Sequence, residues 1–199
     1  MRLSDCAVVI LAAGASSRFG GDKLLAPFGG VPLAAHATRV SRDVGARQVV
    51  AVVPSSGGPR ARLFAEYGAD LVINHDADEG QGRSLALAIG AIDKANVVGV
   101  AVLLADMPFV GVRHLTLLAA SISGAGAAFA HNGDHRSPPA LFSREVFPVL
   151  RQATGDAGAR NALRGRGDIV EVAMAPEDLI DIDTKADIAR YAPQTEHAL

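Results

Sequence analysis

The chain has 199 residues, of which 49% are hydrophobic and 20% are charged. Its 19 basic and 21 acidic side chains leave a formal net charge of −2, and both signs are mixed along the whole sequence. This composition excludes a collagen, a disulfide scaffold and a disordered tail. The even mixture of charges argues against nucleic acid as a partner, because polyanion-binding proteins concentrate Lys and Arg on one face.

The N-terminal segment and the single cysteine indicate the compartment. Cys6 has no second cysteine to pair with and lies in an apolar run, which fits a small buried side chain in a reducing environment. That run is interrupted at Gly14 and is too short for a membrane span or a signal peptide. We therefore expect a cytoplasmic protein without a membrane partner, folded as one domain over residues 1–199.

Apolar runs rich in Val, Ile and Leu alternate with stretches of helical spacing in the first half of the chain. This alternation predicts an α/β fold with a mainly parallel sheet covered by helices on both faces, which makes three layers, α/β/α. Pro32 and Pro59 suit the first turns of the first two helices. The predicted strands are 6–12, 48–53, 70–73 and 97–104, and the predicted helices are 32–40, 59–67 and 84–92.

The pattern changes after residue 104. A helix is predicted over 112–120, followed by two short segments, 126–131 and 140–142, around a polar turn. Such a pair indicates a small antiparallel insertion. A Gly- and Arg-rich helix near 157–163 and a strand near 169–174 complete this part. A last helix then opens within the segment 181–184, with Thr184 or Asp183 as its N-cap.

The segment 11–23, which leaves the first strand, has the composition of a polyphosphate-binding loop. Small residues let a ligand approach the backbone amides, serines add donors, and two cations supply counter-charge. The alternative is a surface loop with solvated cations. A P-loop does not fit because Lys23 is followed by Leu24, and a dinucleotide fingerprint does not fit after Gly14. The candidate binding residues are Leu11, Ala12, Ala13, Gly14, Ser16, Arg18 and Lys23.

Residues 11–23 match the pattern Leu-Ala-Ala-Gly-x-Ser-x-Arg-x-Gly-x-x-Lys. Through this motif the chain resembles nucleotidyltransferases of the molybdenum cofactor cytidylyltransferase type. The resemblance covers nearly the whole chain and continues in Leu104-Ala105-Asp106-Met107-Pro108, Asp181-Ile182-Asp183-Thr184 and the segments 23–33, 80–85, 136–142 and 155–160. It implies a Rossmann-like nucleotidyltransferase fold and transfer of a nucleoside monophosphate from a nucleoside triphosphate, with release of pyrophosphate.

The resemblance also implies roles for individual residues. Asp106, at the carboxyl end of a buried strand, and Asp183 would bind magnesium, although each carboxylate could instead cap a helix. Lys23 would lie near the α-phosphate and Arg18 near the β- and γ-phosphates, which makes Lys23, Arg18 and Asp106 the catalytic candidates. The loop 80–84, through Gly82 and Ser84, would contact the base.

The expected substrates are CTP and a phosphate-bearing acceptor, molybdopterin, with a client molybdoenzyme as a further partner. Ala13 favours a pyrimidine, because its methyl group narrows the slot for the base. Arg136-Ser137-Pro138 departs from the Gly-His-Pro of the family, which leaves the acceptor open. The crowding of His131, Asp134, His135 and Arg136 around one turn argues against a transition-metal site there.

Four alternatives remain. Within the same fold, the chain could be a guanylyltransferase or a sugar-phosphate nucleotidyltransferase. An oxidoreductase is disfavoured because no dinucleotide fingerprint is present. A non-catalytic cofactor-delivery protein is disfavoured because Lys23, Asp106 and Asp183 together would be superfluous in a carrier.

Overall fold

The structure is a computed structural model that describes residues 1–92, 97–133 and 136–192. Its strands are Ala7–Leu11 (β1), Pro27–Phe28 (β2), Val31–Pro32 (β3), Gln48–Val53 (β4), Asp70–Ile73 (β5), Gly99–Leu104 (β6), Ala127–His131 (β7), Arg136–Ser143 (β8) and Ile169–Ala173 (β9). Its α-helices are Ala35–Asp43 (α1), Pro59–Glu66 (α2), Gln81–Ala91 (α3), Val112–Ser121 (α4), Phe147–Leu150 (α5), Gly158–Ala162 (α6) and Lys185–Tyr191 (α7).

In the described residues, one sheet of seven strands has the order β5-β4-β1-β6-β8-β7-β9. β1 lies near its centre and pairs in parallel with β4 and with β6, so that Leu11 is aligned with Val52 and Leu104. β8 runs antiparallel to both of its neighbours, β6 and β7. The predicted α/β class with a mainly parallel sheet is confirmed, and the antiparallel element is part of the main sheet.

Both faces of the sheet are buried, as the uninterrupted apolar runs predicted. Successive residues of β1 point to opposite sides: Val8 and Ile10 belong to one core cluster, and Ala7 and Val9 belong to the other. The first cluster includes side chains of α1, α2 and α4, and the second includes side chains of α3 and α5. None of the described helices is long and apolar enough to cross a lipid bilayer.

The assignment of Pro32 to the first turn of a helix is wrong. Pro32 ends β3 and pairs with Pro27, and α1 begins only at Ala35. Gly29 and Gly30 join β2 to β3 with positive φ angles of 59° and 82°, which is the conformation that a two-residue hairpin turn requires. The Gly-Gly pair between apolar residues was the overlooked signal, whereas Pro59 does occupy the first turn of α2.

The second half follows the predicted order, with one extended strand and one short helix, α5, that the sequence pattern did not predict. β8 covers Arg136–Ser143 rather than 140–142 alone, and its register with β7 shifts between Phe129 and Ala130. Asp134 and His135, of the polar turn, lie outside the described residues. Thr184 is the N-cap of α7, and its side chain accepts a hydrogen bond from the Asp187 N–H.

Cys6 provides a test of the fold. Its side chain is fully buried, and burial, followed by the nearby charge of Asp5, raises the pKa of the Cys6 thiol to about 11. At pH 8 the thiolate is therefore scarce as well as inaccessible. We expect Ellman's reagent to leave the folded protein unmodified and to titrate one thiol in guanidinium chloride. Rapid modification at pH 8 without loss of the folded circular dichroism signal would contradict the burial.

Candidate active site

The candidate site lies where β1 and β6 end side by side. The loop that follows β1 and the turn that follows β6 meet there, and the Ala105 N–H donates to the Leu11 carbonyl at 3.2 Å. In open α/β sheets, ligands bind at the carboxyl ends of the parallel strands. The order of the sheet thus brings the loop 12–23 and Asp106 to one edge.

Lys23 occupies the centre of this edge. Its Nζ lies 2.7 Å from Asp106 Oδ2 and 2.7 Å from Asp183 Oδ1, and the exposed Arg18 places Nη2 3.0 Å from Asp183 Oδ2. Burial alone would lower the pKa of Lys23, but the charges of the two carboxylates and the hydrogen bonds to them outweigh it and raise the pKa. Lys23 is therefore charged at neutral pH and holds two residues from distant parts of the chain together.

Backbone contacts fix the position of Asp183. The Ile182 N–H donates to the Asp106 carbonyl at 2.9 Å, which holds the segment after β9 against the end of β6. Asp187 Oδ2 accepts from the N–H groups of Asp183, at 3.1 Å, and Thr184, at 2.7 Å. The capping box of α7 thus orients the carboxylate that faces Lys23. Asp181, two residues earlier, is exposed.

Two cavities open at this edge and share Leu11, Gln81 and Leu104. The smaller has a volume of about 110 Å³ and lies between the loop after β1, Lys23, Asp106 and the start of α3. The larger, of about 220 Å³, has an apolar floor that includes Phe129 and Phe142, and cationic side chains at its border. These border cations are Arg136 and Arg160.

Most of the predicted nucleotide-binding residues line the smaller cavity. Gln81 and Gly80, at the start of α3, complete it together with Ala15 and Leu24. Ser16 supports the loop from outside the cavity, where its Oγ accepts from the Lys23 N–H at 3.3 Å. The predicted residues in the lining are Leu11, Ala12, Ala13, Gly14, Lys23, Ser84 and Asp106.

Gly82 does not line the smaller cavity, because it packs against the loop before α6. Its N–H donates to the Gly155 carbonyl at 2.9 Å, and a Cβ built on Gly82 would lie 2.5 Å from the backbone of Thr154. Gly82 therefore lets the loop before α6 approach the first turn of α3. Ser84 accepts a hydrogen bond at 2.9 Å from Nδ2 of Asn74, a buried side chain that no sequence pattern indicated.

The donor set at Lys23 is suited to a divalent cation. Asp106 and Asp183 each direct one oxygen at the same Nζ, so both carboxylates face one cationic position. Magnesium binds through one or two carboxylates and completes its shell with water and substrate phosphates.

No group of three or more His, Cys, Asp or Glu side chains suited to a metal occurs among the residues that the structure describes. His131 instead accepts from the Gly133 N–H, and Arg136 pairs with Glu171.

Comparison with known proteins identifies the family. A family model described as the MobA-like NTP transferase domain matches residues 8–172. This chain belongs to that family. The purine catabolism protein PucB of Bacillus subtilis is 31% identical over 187 residues, which cover 88% of this chain and 90% of PucB. A molybdenum cofactor guanylyltransferase of Pseudomonas putida is 32% identical over 166 residues, with coverage of 81% and 83%. The family places the chain among nucleotidyltransferases.

Solved structures show the same fold. The crystal structure of Rv0371c from Mycobacterium tuberculosis superposes with a TM-score of 0.80 at 26% identity, covering 93% of this chain and 96% of that one. A complex of Rv0371c with manganese has a TM-score of 0.74 at 25% identity, covering 94% and 97%. The chain also matches the bifunctional protein GlmU of Leifsonia xyli, with 35% identity over 131 residues, but spans only 26% of its length.

Replacing Lys23 tests the charge cluster. Lys23→Met removes the cation that lies between two half-buried carboxylates and leaves the exposed Arg18 beside Asp183. We expect the free energy of unfolding to fall by about 1–3 kcal/mol, the scale of hydrogen bonds to charged groups. Millimolar Mg²⁺ should recover more stability in this variant than in the parent, because the cation can replace the ammonium. Urea unfolding with and without Mg²⁺ measures both effects.

Lys185→Met, at an exposed position in the first turn of α7, is the matched control and should behave as the parent. Equal stability of Lys23→Met and Lys185→Met, with no difference in their response to Mg²⁺, would show that the two carboxylates do not depend on Lys23.

Proposed function

We propose that the chain transfers CMP from CTP to a phosphate-bearing acceptor, molybdopterin, and releases pyrophosphate. The observation that carries this proposal is the position of Lys23 and Asp106 in the lining of the smaller cavity, with Asp183 on the same ammonium. This cavity shares three lining residues with the larger one. A triphosphate in the smaller cavity would place its α-phosphate toward an acceptor in the larger one. A molybdoenzyme that receives the product is the proposed client.

The reaction needs positioning and charge neutralisation rather than a protein nucleophile. An oxygen of the acceptor phosphate attacks the α-phosphorus, the bond from that phosphorus to the β-phosphate oxygen breaks, and pyrophosphate leaves. The attacking phosphate is already anionic at neutral pH, so no general base is required. Lys23 stabilises the charge that develops at the α-phosphate, and the exposed Arg18 at the mouth neutralises the β- and γ-phosphates.

Magnesium is the proposed metal, held by Asp106 and Asp183. When bound, it would neutralise charge on the triphosphate and on the departing pyrophosphate. Because the Lys23 ammonium lies between these carboxylates, it would turn from them toward the phosphates when the metal is bound. The Lys23 ammonium would thus neutralise the carboxylates before the substrate binds and the α-phosphate afterwards.

The position of Ala13 supports CTP, which carries a pyrimidine base, as the nucleotide substrate. It lines the smaller cavity, and its side chain packs into the core cluster that contains Leu85 of α3. We infer that this packing fixes the methyl group beside the base and narrows the space available to it. In the larger cavity, the apolar floor suits a ring system, and Arg136 and Arg160 at its border suit a phosphate.

Guanylyl transfer is the second candidate, and the similarity to the molybdenum cofactor guanylyltransferase of Pseudomonas putida favours it. The two candidates share the acceptor and the metal and differ in the base. Comparing CTP with GTP as substrates, with molybdopterin as the acceptor, therefore decides between them.

Asp106→Ala tests the metal site. The variant loses a charge that the core does not need, so we expect it to fold and to lose at least about a hundredfold in kcat, the scale seen when electrostatic stabilisation of a transition state is removed. Pyrophosphate release with CTP, acceptor and Mg²⁺ measures the effect. Glu66→Ala, at an exposed position of α2, should keep the activity of the parent. Near-normal turnover of folded Asp106→Ala would refute the metal assignment.

Ala13→Gly tests the choice of base. Removal of one methyl group from a pocket changes discrimination by about 1–3 kcal/mol. We therefore expect the ratio of kcat/KM for CTP over GTP to fall in the variant without full reversal, measured with one acceptor at fixed Mg²⁺. An unchanged ratio would contradict the steric role of Ala13, and a parent that prefers GTP would establish the second candidate instead.

A further inference from the structure

Arg60 of α2 is the most extensively bonded buried cation outside the proposed catalytic set. The residue is 8% exposed, and its guanidinium donates to four acceptors in the loop after β1. Nη1 donates at 2.8 Å to the carbonyls of Ala12 and Gly14, Nη2 donates at 3.1 Å to Ser16 Oγ, and Nε donates at 2.7 Å to Asp22 Oδ2. Four of the five N–H donors of the guanidinium are therefore directed at one loop.

These contacts determine which way two peptide groups face. In a planar trans peptide, the C=O of one residue and the N–H of the next point in opposite directions. Because the Ala12 and Gly14 carbonyls face Arg60, the N–H groups of Ala13 and Ala15 point away from it. Both residues line the smaller cavity, and neither amide has an acceptor within the part of the chain that the structure describes. The N–H groups of Ala13 and Ala15, two residues apart in the loop, can thus face a ligand.

Arg60 also fixes the far end of the loop. Ser16 Oγ accepts from Arg60 and from the Lys23 N–H, so the backbone of Lys23 is tied to the same side chain. Asp22 is bonded to Arg60 through one oxygen and accepts from the Leu24 N–H through the other. The segment that places the Lys23 ammonium is therefore held from both sides by one guanidinium.

We propose that Arg60 is a positioning residue that aims the amides of Ala13 and Ala15 at the phosphates of the substrate. This inference rests on the proposed function, because it assumes that the smaller cavity takes a polyphosphate. Backbone amides directed into one cavity form an anion-binding site, and the buried positive charge behind these two amides strengthens it. The planar guanidinium meets the two carbonyls through Nη1, Ser16 through Nη2 and Asp22 through Nε at once, and the single ammonium of Lys cannot span this set of acceptors.

A direct binding experiment tests this role. Inorganic tripolyphosphate is titrated into ¹⁵N-labelled parent, Arg60→Met, Arg60→Lys and, as a matched control from the same helix, Arg62→Met, which replaces an exposed cation. The amide shifts of Ala13 and Ala15 report occupancy of this anion-binding site and give Kd, and the amides of β4 report an intact core. We expect parent and Arg62→Met to share one Kd, Arg60→Met to bind at least tenfold more weakly, and Arg60→Lys to recover only part of the loss.

The outcomes separate positioning from simple stabilisation. If Arg60 only stabilises the fold, urea unfolding shifts while the folded variants keep the Kd of the parent within twofold, and the proposal is overturned. Should Arg60→Met not fold, the same criterion is applied to Arg60→Lys. If tripolyphosphate leaves the Ala13 and Ala15 amides of the parent unchanged, the proposed function fails together with the role of Arg60. A response in the parent that persists unchanged in the variants rejects Arg60 alone.

Discussion

Two carboxylates, one from the middle of the chain and one from its C-terminal part, share the ammonium of Lys23, and the remainder of the site is arranged around this contact. Without a cation between them, Asp106 and Asp183 would repel each other at the edge of the sheet. Lys23 comes from the loop after β1, Asp106 follows β6 and Asp183 precedes α7. The cluster therefore forms only when the parallel order of β1 and β6 and the return of the chain after β9 are both correct.

Support for this contact comes from residues behind it. Arg60 holds the loop that carries Lys23, and Asp187 holds the backbone that carries Asp183. Such groups keep the backbone that carries Lys23 and Asp183 in place before a ligand arrives, which lowers the reorganisation needed during the reaction. The exposed Arg18, in contrast, has no comparable support from the described residues and can follow the phosphates of a bound nucleotide. The site thus combines a firmly held backbone around Lys23 and Asp183 with a mobile cationic side chain, Arg18, at its mouth.

The sequence predicted those parts that local pattern or spacing encodes. Apolar runs indicated the strands, and their ends indicated where Asp106 and the loop 11–23 would meet. Arg60 could not be predicted, because two of its four partners are backbone carbonyls more than forty residues away in the chain, and carbonyls carry no sequence signature. Gly82 was assigned to nucleotide binding, but its small size serves contact with Thr154, a tertiary feature that no local pattern reveals.

The most direct test of the account measures whether the charge cluster binds a metal-bound triphosphate. Since a ligand at 100 times its Kd stabilises the folded state by about 2.7 kcal/mol, CTP with Mg²⁺ should raise the Tm by roughly 5–10 °C. Cytidine should leave the Tm unchanged, and Asp106→Ala should lose the dependence on Mg²⁺. A Tm that responds to no nucleoside triphosphate in the presence of Mg²⁺ would contradict the central claim.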